Sequence, residues 1–475
     1  MSRRKLLAHR LSKRSSAVCV ILLAAGVCAR GAEVVKVRMD PGVVLGRISE
    51  DFIGLGYETS AVAQSNFFSA QNAGMIQLYR NLSPHGLIRI GGNVSDHTRY
   101  VPDGAPAART ERETTIINRA NLSDLAEFAH ATGWKVMWGL NLGTGSTEEA
   151  VEEAVAVDAA LGTNLHSFQI GNEVDGLRRF AKDYAAYHRA FLDYKAAIRA
   201  ALPAAVFSGP DVIGNWNWIT NFVSAEAGDM KLLTQHYYRG GAHDPASTLD
   251  KLLKPDVAFD GRLQKLRELC RDKGLFYRIN EVNSFYGGGK PNVSDTFASA
   301  LWALDFMFRL ASHGCEGINL ETDRNQLGFI SYYSPIGRDS TGRGVARPEY
   351  YGMLAFSLCG NGDVLQVTQD KTDINLPVYA TRNAKRDVWI VIVNKDASRD
   401  AILEMPTPKG YAPAGLARLT ARSLESKDHV TLAGAEVSGD GKWKPGPLES
   451  CAEKDGMVRI KAPHGSAVLA EFSIK

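Results

Sequence analysis

The chain has 475 residues, of which 45% are hydrophobic, 23% charged and 9% aromatic, proportions that exclude a disordered or low-complexity protein and predict one large domain with a smaller one. Its formal charge of +3 comes from the N-terminus, where the first 32 residues carry seven cations and no acid; removing them leaves −4. A body without a basic surplus is not an electrostatic nucleic-acid binder.

The first predicted element is a leader. A cationic stretch precedes the apolar run 17–27, which is too short to span a bilayer. With Val27 and Ala29 as small residues before the cut, this predicts a signal peptide over residues 1–29, with cleavage after Ala32 as the alternative. No later segment reaches the roughly 18 uninterrupted apolar residues of a membrane helix. The expectation is therefore a secreted or periplasmic protein with no membrane partner after signal removal.

Residues 33–49 read as extended, with Asp40-Pro41-Gly42 as a turn signal. From residue 50 the pattern alternates. Short apolar or β-branched runs at 52–56, 87–91, 135–140, 166–171, 205–208, 232–237, 275–279 and 316–320 are separated by helical patterns such as 124–132, 184–201, 263–273 and 296–311. That alternation predicts an α/β fold, a (β/α)8 TIM barrel over 50–346. A doubly wound sheet is the alternative, but no GxGxxG follows a strand to open a helix. Past residue 347 short strands punctuated by Gly, Pro and Asp take over, at 363–367, 388–394, 401–405, 456–460 and 467–474. They predict an antiparallel β-sandwich of 347–475 that also takes in 33–49. Cys270, Cys315, Cys359 and Cys451 are widely spaced, without the clustering of a metal site, so no metal is expected. One disulfide and buried free thiols both remain open for them.

Functional groups of such a barrel stand at the C-terminal ends of its strands. Read in order, those ends carry Glu58, Asp96, Asn141, Asn172-Glu173, His236-Tyr237-Tyr238, Asn280-Glu281 and Glu321-Thr322-Asp323. Glu173 and Glu281, each preceded by Asn, suit glycosidic hydrolysis: one carboxyl protonates the leaving oxygen while the other attacks or stabilises the anomeric carbon. Asn172 is placed to donate to a sugar hydroxyl. Spacing alone leaves open which glutamate does which.

The segments HSFQIGNEVDG (166–176) and NEVNSFYGGGKPNVSDTFA (280–298), with LIRIGGNVSD (87–96) and GLGYETS (54–60), resemble the heparanase and β-glucuronidase family, glycoside hydrolase family 79. The resemblance spans residues 33–475 and implies Glu173 as acid/base and Glu281 as nucleophile. It implies Tyr237 beside the nucleophile, with Tyr238 turned the other way by strand alternation. Tyr286, Gly287 and Gly288, joined by Tyr333, are implied to hold the C6 carboxylate of a glucuronic acid, and Glu58 and Asp96 to line the terminal-sugar site. No cofactor is required. The expected substrate is a glucuronic-acid-containing oligosaccharide, polysaccharide or glucuronide. Exo action with retention is preferred over heparanase-like endo action because the body lacks the basic clusters a sulfated polymer demands. A neutral-sugar glycosidase and a noncatalytic carbohydrate-binding protein are the rivals. Trp216-Asn217-Trp218 is the first choice for an aglycone platform, with Trp134 and Trp138 further candidates.

Overall fold

The computed structural model describes residues 32–103, 115–180, 182–360 and 362–475; the predicted signal peptide lies outside them. Eight parallel strands form its central sheet: Gly54–Glu58, Leu87–Gly91, Lys135–Leu140, Leu165–Ile170, Ser208–Val212, Leu232–Tyr238, Phe276–Asn283 and Gly317–Glu321. Numbered one to eight along the chain, they lie in the spatial order 4-3-2-1-8-7-6-5. The seam between the fourth and fifth is one parallel bridge, Phe168 to Phe207, with the Phe168 N–H donating to the Val206 carbonyl at 2.9 Å. The result is a nearly closed (β/α)8 barrel.

Parallel strands covered on both faces must be apolar throughout, and every residue of the first, second, fifth and eighth strands is buried. Helices such as Arg119–Thr132, Thr147–Leu161, Tyr184–Ala201, Val257–Lys273 and Phe297–Ser312 connect them. Their starts follow local chemistry. Ser146 accepts from the Glu149 N–H while Glu149 reaches back to the Ser146 N–H, so the second of these helices opens on a capping box.

The fifth strand differs from expectation. The predicted run at 205–208 ends before Gly209-Pro210-Asp211. The structure runs the strand through those residues, Ser208–Val212, because its register with the sixth strand slips between Pro210 and Val212. A bulge tolerates the missing proline N–H.

The second sheet has ten strands and is mostly antiparallel. Glu33–Ile48 joins its two halves, pairing antiparallel with Gly362–Gln369 and parallel with Ala401–Pro406. Val35, Val37, Ile390, Ile392, Leu403, Ile460, Val468 and Phe472 from both halves share one core. Four of its strands have no counterpart among the expected ones: Val378–Asn383, Tyr411–Thr420, Thr431–Leu432 and Glu453–Lys454. In the second, Pro413 and Gly415 flank a bulge rather than a turn. Asp305, buried on the helix Phe297–Ser312, accepts from the Tyr379 hydroxyl and the Lys395 ammonium of this sheet, each at 2.5 Å. Among the described residues no helix is long and apolar enough to cross a membrane. The four cysteines are free thiols, with Cys270, Cys315 and Cys359 buried.

Candidate active site

The C-terminal ends of the strands surround a cavity of about 660 Å³ whose wall includes Glu58, Asn93, Glu173, His236, Glu281, Glu321 and Tyr333. Glu173 follows the fourth strand at a φ of 45°, a left-handed backbone that a non-glycine residue adopts at a cost. Glu281 comes from the seventh strand, whose pairing with both neighbours shifts just before it. That bulge lets two consecutive residues work inside the barrel. Asn280 Nδ2 donates to Gln169 Oε1 at 3.3 Å and to Asp211, while Glu281 faces the cavity. One oxygen each of Glu173 and Glu281 and one ring nitrogen of His236 lie within 4.8 Å of one another.

The two glutamates have different surroundings. Glu281 Oε2 accepts from Arg89 Nη1 at 2.8 Å and Oε1 from the Tyr238 hydroxyl at 3.0 Å. Glu173 has one side-chain neighbour of this kind, His236 Nδ1, 3.2 Å from Oε1. His236 also lies 3.1 Å from Asp211 Oδ1 through Nε2. Burial opposes a charge on this imidazole, but Glu281 and Asp211 outweigh it and hold its pKa well above the ordinary value. Asp211 is the mirror case: burial works against its charge, and His236 and Arg89 overcome it and keep the carboxyl well below the usual range. The grouping of Glu173, His236 and Glu281 has the spacing of metal ligands. A protonated ring already supplies the positive charge there and has no lone pair to give a metal.

Arg89, 1% exposed in the middle of the second strand, ties these groups together. Besides Glu281 it donates to Asn172 Oδ1 at 2.6 Å and Asp211 Oδ2 at 2.7 Å. Asn172 is thereby turned inward; its amide donates to Asn93 Oδ1 at 3.3 Å, and Asn93 is the residue on the cavity wall. Glu58 lines the cavity as expected and accepts the Val94 N–H at 2.8 Å. Burial, with Glu281 adding to it, pushes Glu58 up to about 8 against that hydrogen bond.

Three expectations need correction. Tyr237 lines the cavity but does not reach Glu281: its hydroxyl donates to Asp256 Oδ2 at 2.8 Å and its ring stacks on Phe259 at 3.7 Å. Alternation puts His236 and Tyr238 on one face, so Tyr238 is the nucleophile's neighbour. Asp96 is not on the cavity wall. Its Oδ1 accepts the Leu142 and Gly143 N–H groups and its Oδ2 the Asn172 N–H, so it braces the loops that carry Asn172 and Glu173. Trp134 and Trp138 are fully buried core residues, and Trp218 is 4% exposed. Trp216 is half-buried against the core, with the Arg262 guanidinium 4.9 Å from its ring centroid.

The glycine loop is built for its conformation. Gly287, Gly288 and Gly289 have φ values of 83°, 87° and 84°, a run that only glycines hold without strain. Gly287 and Tyr286 line the cavity, with Tyr286 60% exposed at its mouth. Gly288 lies behind the wall, where its carbonyl accepts the Tyr332 N–H at 2.7 Å and so fixes the neighbouring Tyr333, which is 3% exposed and does line the cavity. Sequence reasoning missed Arg89 and Asp211, and it named His236, Tyr238 and Glu321 at strand ends without giving them a role at the site. Of the two missed residues, only Arg89 carries a signal, a charged residue inside an otherwise apolar strand.

Residues 87–307 match the model of the family described as "Glycosyl hydrolase family 79, N-terminal domain". A β-glucuronidase of Aspergillus niger is 27% identical over 383 residues, covering 72% of this chain and 68% of its own length. A hyaluronoglucuronidase of Hirudo nipponia is 23% identical over 400 residues, covering 73% and 77%. Among solved structures, a 4-O-α-L-rhamnosyl-β-D-glucuronidase from Fusarium oxysporum 12S superposes with a TM-score of 0.73 over 91% of this chain and 98% of the other, at 17% identity.

Proposed function

This chain belongs to glycoside hydrolase family 79, and on that premise we propose that it is a retaining exo-β-glucuronidase, releasing terminal β-linked glucuronic acid from a saccharide or glucuronide. One observation carries the reading: two carboxylates with oxygens within 4.8 Å of each other, of which Glu281 alone is held by a guanidinium and a phenol. Retaining enzymes keep their carboxyl groups about 5–5.5 Å apart, too close for the water that an inverting mechanism places between them.

The roles follow from the surroundings. Arg89 and Tyr238 donate to Glu281 and fix both of its carboxyl oxygens, which fits a nucleophile. Glu173, partly open to solvent and held by neither a guanidinium nor a phenol, with His236 Nδ1 its one such neighbour, is the group placed to carry a proton to the leaving oxygen. Attack of Glu281 on the anomeric carbon breaks the glycosidic bond as Glu173 protonates the aglycone oxygen. Glu173, now ionised, takes a proton from water, and that water displaces Glu281 with a second inversion. Gly287, whose N–H donates to nothing among the described residues, and the Tyr333 phenol are the neutral donors for the C6 carboxylate. Neutral donors suit a site where Glu281 must stay anionic without a further cation beside it. Loss of residues 1–29 or 1–32 as a signal peptide would deliver the enzyme to the periplasm or medium.

The test uses nitrophenyl β-D-glucuronide, β-D-glucoside and β-D-xyloside, with proton NMR of the first-formed sugar. The expected results are preference for the glucuronide and release of the β-anomer. Azide should rescue Glu173→Ala as a β-glucuronyl azide and Glu281→Ala as the α-azide. A first-formed α-sugar would sink the retaining mechanism, and preference for a neutral sugar would sink the substrate.

A further inference from the structure

Glu321 ends the eighth strand and plays no part in the chemistry above. It is 4% exposed, lines the same cavity, and neither of its carboxyl oxygens has a hydrogen-bond partner. An unpartnered buried carboxyl costs free energy that folding alone does not repay. The backbone makes room for it: the first strand has Gly56 opposite, where a Cβ would stand 2.6 Å from Glu321 Oε2.

We propose that Glu321 is a specificity-determining residue that binds the C6 carboxylate of the terminal sugar by donating its own carboxyl proton, so that the site accepts a sugar acid only while Glu321 is neutral. This rests on the glucuronidase reading and deepens it.

The groups around Glu321 settle its charge. Glu58 faces it from the first strand, Arg89 from the second, His236 from the sixth and Glu281 from the seventh. Arg89 and His236 are already matched by Asp211 and Glu281. A further anion would have no cation of its own. Burial first, then Glu281 and Glu58, accordingly hold Glu321 well above the ordinary carboxyl value, against the weaker pull of Arg89 and His236. The phenols of Tyr57, Tyr238 and Tyr333 also sense its charge and are neutral donors or acceptors themselves. A neutral carboxyl offers an O–H to a carboxylate, whereas an ionised one repels it in a site shielded from water.

The experiment is the ratio of kcat/KM for nitrophenyl β-D-glucuronide to that for the matching glucoside, followed from about pH 5 to about pH 8, where the sugar acid stays ionised. Ionisation of Glu173 and Glu281 affects both substrates and cancels. In the wild type the ratio should fall as pH rises. Glu321→Gln keeps a neutral donor and should hold the ratio high and flat. Glu321→Ala should flatten it at a level lower by about tenfold or more, the worth of a hydrogen bond to a charged group. Gly56→Ala, which displaces the carboxyl, should lower the ratio as Glu321→Ala does. A wild-type ratio independent of pH, or a slope that persists in Glu321→Gln, overturns the proposal. A wild type that prefers the glucoside at every pH overturns the glucuronidase reading instead, and the two failures are distinct.

Discussion

Adjacent tyrosines on the sixth strand separate two accounts of the nucleophile, and one hydroxyl from each decides between them. Tyr238→Phe removes the donor 3.0 Å from Glu281 Oε1 and leaves the ring in place. A hydrogen bond to a charged group is worth about 1.5–3 kcal/mol, and about 1.4 kcal/mol is tenfold in rate, so the bond alone predicts a loss of about 10- to 150-fold. Arg89 still holds the other oxygen at 2.8 Å, which places the expected fall in kcat/KM in the lower part, about 10- to 30-fold. Tyr237→Phe removes a hydroxyl that donates to Asp256, the residue capping the helix Val257–Lys273, beside Arg239. That bond is part-exposed and Asp256 keeps Arg239 at 2.7 Å, so the expected cost is about 0.5–1 kcal/mol of stability. Activity should stay within about threefold of wild type, because kcat/KM changes only with transition-state contacts. Steady-state kinetics on an aryl glucuronide and urea unfolding midpoints read the two effects. Loss of turnover in Tyr237→Phe with Tyr238→Phe intact would refute the assignment and the strand phase behind it.

Other consequences are as direct. Gly289→Ala puts a Cβ 2.7 Å from the Tyr333 backbone nitrogen at a φ of 84°, and should raise KM for glucuronides while lowering the melting temperature. Gly342→Ala has a similar φ of 83° with nothing within 4 Å, so it should lower the melting temperature alone; equal KM changes in both would dissociate the loop from the substrate. Burial pushes the Glu58 carboxyl up to about 8 in the folded protein, well above its ordinary value, so the native state binds the extra proton between those limits and stability falls as pH rises through them. Glu58→Gln should therefore melt higher than wild type near pH 8, with the advantage vanishing near pH 4. A constant difference across that window would mean that Glu58 does not titrate as its burial requires.

The fold was legible where a periodic signal was strong. The strands at 87–91, 135–140 and 388–394 and the helix at 184–201 stand where their patterns put them. Legibility failed at bulges. Gly209-Pro210-Asp211 and Pro413-Ala414-Gly415 carry turn residues inside strands, and only the neighbouring strand's register makes them extended. The same limit hid part of the site. Glu173 and Glu281 stand out because an isolated carboxyl at a strand end is conspicuous. Tyr237 and Tyr238 are indistinguishable by composition, and a register slip of one residue exchanges the side chains that face the core. Asp96 was misplaced for a different reason. A carboxylate that accepts three backbone N–H groups looks, in sequence, the same as one that accepts sugar hydroxyls.

In the proposed mechanism, Arg89, His236 and Asp211 balance the charge around Glu281. Two buried cations facing Glu281 alone would hold its electron pair so firmly that attack on the anomeric carbon would forfeit their stabilisation. Both cations instead contact Asp211 as well, at 2.7 Å from Arg89 and 3.1 Å from His236. Asp211 thus shares the positive charge that faces Glu281. The arrangement needs an arginine in the middle of an apolar strand, an aspartate at a φ of 64° in a bulge, and a histidine in phase with Tyr238. None of these is favourable by itself: an isolated buried charge is expensive, and positive φ strains a non-glycine residue. Each becomes affordable only because the other two are present. The chemistry at Glu281 is therefore a property of three strands closing together, and not of the motif around the nucleophile.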